Sequence, residues 1–288
     1  MDASLPDSRT AALAVAGLGV PLPAQARGAP FTWPQGVRAA VSLAYDDALD
    51  SQLDIAIPAL DKAGLKASFY LTLGGDRVQR RVAEWRAAAA RGHELGNHTL
   101  FHQCSGSAPD RAWVTPENDL DNTPAAQLVA QIRAGNALLQ AIDGRRERTF
   151  AAPCGDTQAG GENYVDLIKG DFVAIRSAAG GTIAEMAALD PCAVGVDALS
   201  DVTGAQLIDL VKSAARAGTM VNITFHGIGG DYLSVSRQSH EELLSHLAAH
   251  RGVYWTDTFI NIMTFVKAQQ TAKTPTTQPT PPQDRAPG

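Results

Sequence analysis

Short apolar runs alternate with helix-like stretches along almost the whole chain, and this alternation restricts the fold more than any other feature. Val37–Tyr45 (VRAAVSLAY) is a mostly apolar run with the length of a buried strand. Ser51–Ala63 then carries Leu53, Ile57 and Leu60 at helical spacing, and Gly64 stops it. Strand-like and helix-like segments continue in turn. Lys66–Leu71 reads as strand, Val78–Ala90 as an Ala-rich helix ended by Gly92, and His93–Asn97 as strand. Residues 103–122 are polar, contain Trp113 and read as a long loop, a kind of segment that often carries function. Thr123 is placed to cap a helix over Pro124–Ile142. Strands are expected at Arg148–Ala152, Phe172–Ile175, Val196–Leu199, Met220–Phe225 and Val253–Trp255. The helices between and after them are Glu162–Lys169, Ala205–Ala217 closed by Gly218, Ser239–Arg251 and Asp257–Lys267. About seven strands alternating with helices argue for a parallel α/β barrel in a single domain. The pattern alone does not separate a barrel from an open doubly wound sheet.

In parallel α/β folds the chemistry gathers at the carboxyl ends of the strands. The first strand ends in Asp46-Asp47, two adjacent carboxylates that stay ionised together only beside a cation or hydrogen-bond donors. The HELGN strand runs into His98-Thr-Leu-Phe-His102, the RTFAA strand into Pro153-Cys154-Gly155, and the MVNITF strand into His226-Gly227. His98 and His102 are four residues apart, and one helical turn places such a pair on one face. Two histidines and one carboxylate are a common ligand set for a catalytic divalent metal with open positions. H-x-x-x-H arises easily by chance; its position after a strand, with the DD pair and a later strand-end His, gives it weight.

LAYDDALD, GHELGNHTLFH, FAAPCG and ITFHG, in that order, resemble the polysaccharide deacetylases of carbohydrate esterase family 4 over residues 36–267. The resemblance implies a distorted (β/α) barrel of about seven strands and a metal-dependent hydrolase. Such an enzyme removes acetyl groups from amino sugars or sugar esters. It implies Asp47, His98 and His102 as ligands of one divalent metal, zinc first, with cobalt and nickel as alternatives that the ligand set also suits. It further implies Asp46 as general base, the backbone N–H of Cys154 as oxyanion donor and His226 as general acid.

The chain departs from that family pattern in several places. Tyr45 and Ala48 stand where Phe and Gly usually flank the DD pair. Ala151 stands where an Arg usually orients the base, and Arg176, at the end of the FVAI strand, is a candidate replacement. Cys154 replaces an aromatic, which leaves one pocket wall small. No clear Asp-Trp pair tunes the acid histidine; Asp197 is the best positional candidate, and Trp255 is a candidate for closing the leaving-group pocket. No stretch announces a long apolar acyl pocket, so the acyl group is expected to be small. His93 reads as structural, whereas His240, His246 and His250 read as solvated residues on a helix. Trp33, Trp85 and Trp113 read as packing or rim residues, and Gly229-Gly230-Asp231 as a turn.

Residues 1–26 read as a secretory signal, since a small-residue apolar stretch is followed by Ala24-Gln25-Ala26, although Asp2 and Asp7 replace the usual positive charge. Export to the periplasm or outside the cell is the expectation that follows, and a cytoplasmic location if the segment is not a signal. Residues 27–35 read as a connector. From Ala268 onward the chain is rich in Pro and Thr and holds no large apolar residue, so a flexible tail is expected over 268–288. Cys104, Cys154 and Cys192 allow one disulfide, and spacing does not choose the pair. A net charge of -6 without a basic run argues against a nucleic-acid partner. No apolar run in the body is long enough to span a membrane. The expected partner is an acetylated oligo- or polysaccharide; no protein partner is inferable. Two other readings remain: a catalytically silent carbohydrate-binding relative, suggested by Ala151, and a C–N hydrolase of cyclic amides on the same scaffold. The intact Asp47, His98 and His102 argue against the second. No G-x-S-x-G, P-loop or dinucleotide motif appears.

Overall fold

A computed structural model describes residues 31–273. The segment read as a secretory signal and residues 274–288 of the expected tail lie outside the described residues. The strands in chain order are β1 (Ala39–Asp46), β2 (Ser68–Leu71), β3 (Glu94–Asn97), β4 (Thr149–Ala151), a short antiparallel hairpin of β5 (Gln158–Ala159) and β6 (Glu162–Asn163), β7 (Ala174–Ala179), β8 (Val194–Ala198), β9 (Met220–Phe225) and β10 (Tyr254–Asp257). Neighbours pair in parallel in the order β1-β2-β3-β4-β7-β8-β9, and β9 pairs back onto β1 from Ala40↔Met220 to Tyr45↔Phe225. That last pairing closes a seven-stranded barrel and excludes the open sheet.

β10 is an eighth strand outside the ring's count. It pairs with the first half of β1, Ala39↔Tyr254 to Ser42↔Asp257, whereas β2 pairs with the second half, Ala44↔Ser68 to Asp46↔Tyr70. β1 is twice as long as β2, so one edge of it serves both strands in tandem.

Alternation along β1 orders the two layers of the core. Val41, Leu43 and Tyr45 point outward into the apolar layer beneath the helices. Ala40 and Ala44 point into the barrel with Tyr70, Ala151, Val194 and Met220. By the same period of two, Asp46 ends the strand facing the barrel mouth. The surrounding helices are α1 (Ile57–Ala63), α2 (Asp76–Arg80), α3 (Val82–Ala90), α4 (Ala125–Asp143), α5 (Tyr164–Ile168), α6 (Gly204–Ala217), α7 (Arg237–Ala249) and α8 (Phe259–Lys273).

Several expectations are corrected. Thr123 does not cap α4; Pro124 holds the cap position and the Thr123 hydroxyl donates to the Asp119 carbonyl. The expected helix over Val78–Ala90 breaks at Arg81, whose guanidinium is drawn onto Asp50, Asp54 and Glu84. The last helix runs to Lys273, past the expected start of the tail at Ala268. The added segment AQQTAK consists of good helix formers apart from Thr271, and the Gln270 amide donates to the carbonyls of Met186 and Leu189. Of the expected connector, residues 31–35 pack on the core: Trp33 is buried with Phe259 and Met263, and Phe31 packs on its ring; residues 27–30 lie outside the described residues. Among the described residues no helix is long and apolar enough to cross a membrane.

Candidate active site

Asp47 follows β1 with φ at 78°, a left-handed conformation that turns its carboxylate over the barrel mouth. Its backbone N–H still bonds the Tyr70 carbonyl at 3.1 Å, so the strand ladder holds the turn in place. Its Oδ1 lies 3.3 Å from His98 Nε2 and 3.1 Å from His102 Nε2. Neither contact has hydrogen-bond geometry, and Oδ1 is buried without a hydrogen-bond partner among the described residues. Its Oδ2 accepts from the Tyr232 hydroxyl at 2.8 Å and lies 3.8 Å from His226 Nε2.

His98 leaves β3 with its peptide N–H on the Leu71 carbonyl. Its Nδ1 donates to the Ala151 carbonyl at 2.8 Å, which orients the ring so that Nε2 faces Asp47. The helical turn expected between His98 and His102 is not formed. Thr99 and His102 adopt left-handed φ values of 64° and 51°, and a side-chain ladder shapes the bend. In that ladder Asn97 Oδ1 accepts from the Thr99 N–H and Thr99 Oγ1 from the His102 N–H. The imidazoles meet all the same, edge to face at 4.9 Å. One ligand atom each of Asp47, His98 and His102 lies within 4.8 Å of the other two.

The electrostatics match this packing. Burial alone raises the Asp47 carboxyl, but His102 and His98 outweigh it and hold the group far below the ordinary carboxylate range. Burial likewise lowers His98, and Asp47 together with Asp46 overcomes it and raises the imidazole above its usual value. A divalent cation fits this donor set. It would place positive charge between the carboxylate and the two imidazoles and would give the orphaned Oδ1 a partner.

Asp46 is held differently. Arg176, on β7 beside Ala151 of β4, donates to Asp46 Oδ1 at 2.9 Å through Nη1 and reaches Oδ2 at 3.5 Å through Nη2. Nη2 also donates to the Thr224 hydroxyl, and the guanidinium lies over the Tyr70 ring at 4.3 Å. Burial lowers the Arg176 pKa, and the neighbouring Asp46 outweighs it, so the guanidinium stays charged. Arg176 thus occupies the space left free by Ala151. Gln52 ties the two strand ends together, donating to the carbonyls of Asp46 at 2.6 Å and His226 at 3.2 Å.

One cavity of about 1040 Å³ contains Asp46, Asp47, His98, His102, Arg176, Cys154 and His226. Cys154 is bonded to Cys104, which settles the pairing, leaves Cys192 as a thiol and staples the loop after β3 to the loop after β4. Arg111 strengthens that junction by reaching Asp156 and the Cys154 carbonyl, and it carries Trp113 at 5.9 Å on the cavity rim, 58% exposed.

Two candidates are not brought to the site. Trp255 pairs with Ala40 near the start of β1, about 20 Å along the strand from Asp46 at ordinary strand rise. It packs on Trp33 and Phe265 and donates to Asp257, since an aromatic at that end of the barrel fills the floor. Asp197 alternates out of the cavity, which its neighbours Val196 and Ala198 line, and it makes no bond to His226. His226 Nδ1 is buried without a partner among the described residues. His240, expected on the surface, is fully buried against the Tyr45 hydroxyl at 2.7 Å, which accounts for a Tyr in place of the usual Phe. His93 is buried and bonded to Asp61 and the Ala67 N–H, in keeping with a structural role. Sequence reasoning passed over Tyr232, Thr224, Tyr70 and Gln52. Polar residues at strand ends and in the turn after His226 were the available signal.

Residues 35–166, which supply Asp46, Asp47, His98, His102 and Cys154 but not Arg176, Thr224, His226 or Tyr232, match the family profile described as polysaccharide deacetylase. Over residues 35–166 the chain carries a polysaccharide deacetylase domain match. A gellan lyase from a Bacillus species is 29% identical over 123 residues, 43% of this chain, but the chain spans only 4% of that protein's length. A Mycobacterium smegmatis protein provisionally assigned as a polysaccharide deacetylase superposes with a TM-score of 0.58 at 15% identity, over 89% of this chain and 99% of that one. The Xyl-CE4 domain of a multidomain xylanase from the hindgut metagenome of Trinervitermes trinervoides gives 0.49 at 15% identity, over 80% of this chain and 91% of that one. The first structural likeness speaks to the deacetylase barrel alone; the second carries no weight by itself.

Proposed function

We propose that this polysaccharide deacetylase is a divalent-metal-dependent hydrolase of acetylated glycans, acting on N-acetyl or O-acetyl sugars. The observation that carries the reading is the buried, unpartnered Oδ1 of Asp47 facing the Nε2 atoms of His98 and His102, with a second carboxylate next to it. Asp47, His98 and His102 are the proposed ligands of one ion, zinc first and cobalt or nickel as alternatives. When bound, such an ion supplies Lewis acidity to water and to the acyl carbonyl.

The other roles belong to the chain. Asp46, oriented by the Arg176 guanidinium, accepts the proton of the attacking water. The Cys154 peptide N–H is assigned to the developing oxyanion. His226, with Nε2 on the same cavity, returns a proton to the leaving nitrogen or oxygen. Tyr232 fixes Asp47 through Oδ2 and leaves Oδ1 for coordination. Trp113 offers an exposed flat face on the rim for a sugar ring. Export of the protein fits a substrate outside the cell and follows from the signal reading of residues 1–26.

The test is acetate release from a panel of acetylated glycans, with metal content measured in parallel. Asp46→Asn is expected to keep the ion and lose most turnover, whereas His102→Ala loses the ion itself. Metal loss in Asp46→Asn would reverse the roles given to the two aspartates. A metal-free protein that binds glycan and releases no acetate would favour the silent binding reading instead.

A further inference from the structure

The cavity is far larger than acetyl requires, and one side of it is lined almost wholly by small apolar side chains. That wall is built by Ala151 and Ala152 at the end of β4, Ala178 and Ala179 at the end of β7, and Val196 and Ala198 on β8. It starts at the reacting groups: Ala178 stands two residues beyond Arg176 on the same strand, and Ala198 pairs with Thr224, which Arg176 also touches. Such a wall suits a sugar poorly. Its hydroxyl, Ser177, already donates to the Cys192 carbonyl, and no charged or amide side chain lies on it beyond Arg176, which is engaged by Asp46 and Thr224. The aromatic faces that could hold a sugar, Trp113 and Tyr232, lie instead on the loops after β3 and β9.

We infer that this wall is an acyl-chain site, and that the enzyme hydrolyses, besides acetyl, straight apolar acyl groups longer than acetyl from a sugar nitrogen or oxygen. The inference rests on the hydrolase reading above and names the acyl class of that same site. A bulge lies between Arg176 and Ala178, so the wall from Arg176 to Ala179 advances only as far as Val194 to Val196 opposite, about 7 Å at strand spacing and enough for an extended chain of about six carbons. Water provides the hydroxyl that joins the acyl carbon; the bond from that carbon to the sugar N or O breaks, and the proton ends on the sugar. The product is a fatty acid with its tail on the alanine wall. Each methylene buried there is worth about 0.8 kcal/mol, or about fourfold in affinity.

The test has a binding arm and a turnover arm on the zinc-loaded protein. Titration calorimetry with acetate, butanoate and hexanoate reads the wall without any reaction. Hexanoate is expected to bind at least tenfold more tightly than acetate, and Ala198→Trp or Ala178→Leu to remove that gain. Hydrolysis of 4-nitrophenyl acetate, butanoate and hexanoate is expected to show kcat/KM rising with chain length by a similar factor. Hexanoate binding no tighter than acetate overturns the inference, whatever the turnover. Chain-length-dependent binding without hydrolysis of any ester keeps the acyl site and overturns the hydrolase reading instead.

Discussion

Replacing Arg176 by alanine strips the partner from a carboxylate that has little access to water. The Arg176 side chain is 2% exposed and that of Asp46 11%, so solvent screens the pair weakly. Breaking a buried ion pair from one side costs about 3–5 kcal/mol, because the remaining charge stays desolvated. The variant also forfeits the contact with the Tyr70 face and the bond to Thr224. For a domain of this size, that loss lowers Tm by about 6–20 °C. A double-mutant cycle isolates the pair. Asp46→Asn alone leaves Arg176 uncompensated, whereas Arg176→Ala combined with Asp46→Asn leaves no buried charge, so the double variant costs about 2 kcal/mol less than the sum. Arg176→Lys recovers only part of the loss, since an ammonium cannot span Asp46 and Thr224 or stack flat on Tyr70. Urea unfolding of the wild type and the variants at neutral pH reads all of these terms. Single variants each costing under about 1 kcal/mol, and adding without coupling, would refute the claim that this pair holds Asp46.

Three further outcomes are expected. Burial pushes His240 down to about 4 and His93 to about 4, so both stay neutral in the folded chain while the unfolded chain protonates them below about 6.5. Their contribution to stability is therefore full above about 6.5 and is lost as pH falls toward 4, about 3 kcal/mol for each. His240→Gln should flatten that slope in urea titrations from pH 7 to 4.5, and an unchanged slope would sink the assignment. Reduction of Cys104–Cys154, which closes a loop of 50 residues, should cost about 2–4 kcal/mol in denaturation with and without reductant. Equal stability in both would deny the staple its role. Trp113→Ala should raise KM for oligosaccharides several-fold while leaving kcat for a monosaccharide substrate nearly as it was; an effect on kcat alone would remove Trp113 from the sugar platform.

Elements whose physics is local were legible in advance. β1 and β9 are predominantly apolar runs of strand length, and α6 ends on Gly218 at φ 71°, a left-handed position that glycine adopts readily. Each of these is decided by neighbours in the chain. The strand-end residues Asp46, Asp47, His98, Cys154 and His226 were legible for a similar reason, since parallel strands in a barrel deliver their carboxyl ends to one mouth. Errors arose where the deciding partner is distant. The surface reading of His240 failed because Tyr45, on another element, supplies its bond, and Trp255 was misassigned because strand pairing set it at the barrel floor.

Composition and order of segments, then, determined an alternating α/β chain with acidic and imidazole groups at strand ends, because secondary structure and alternation are short-range matters. Closure of β9 onto β1, the choice of Cys154 as the partner of Cys104, the seat of Arg176 over Tyr70 and the alanine wall beside Asp46 were decided only by tertiary structure. Each is a contact between residues far apart along the chain, and its geometry exists only once the barrel has closed.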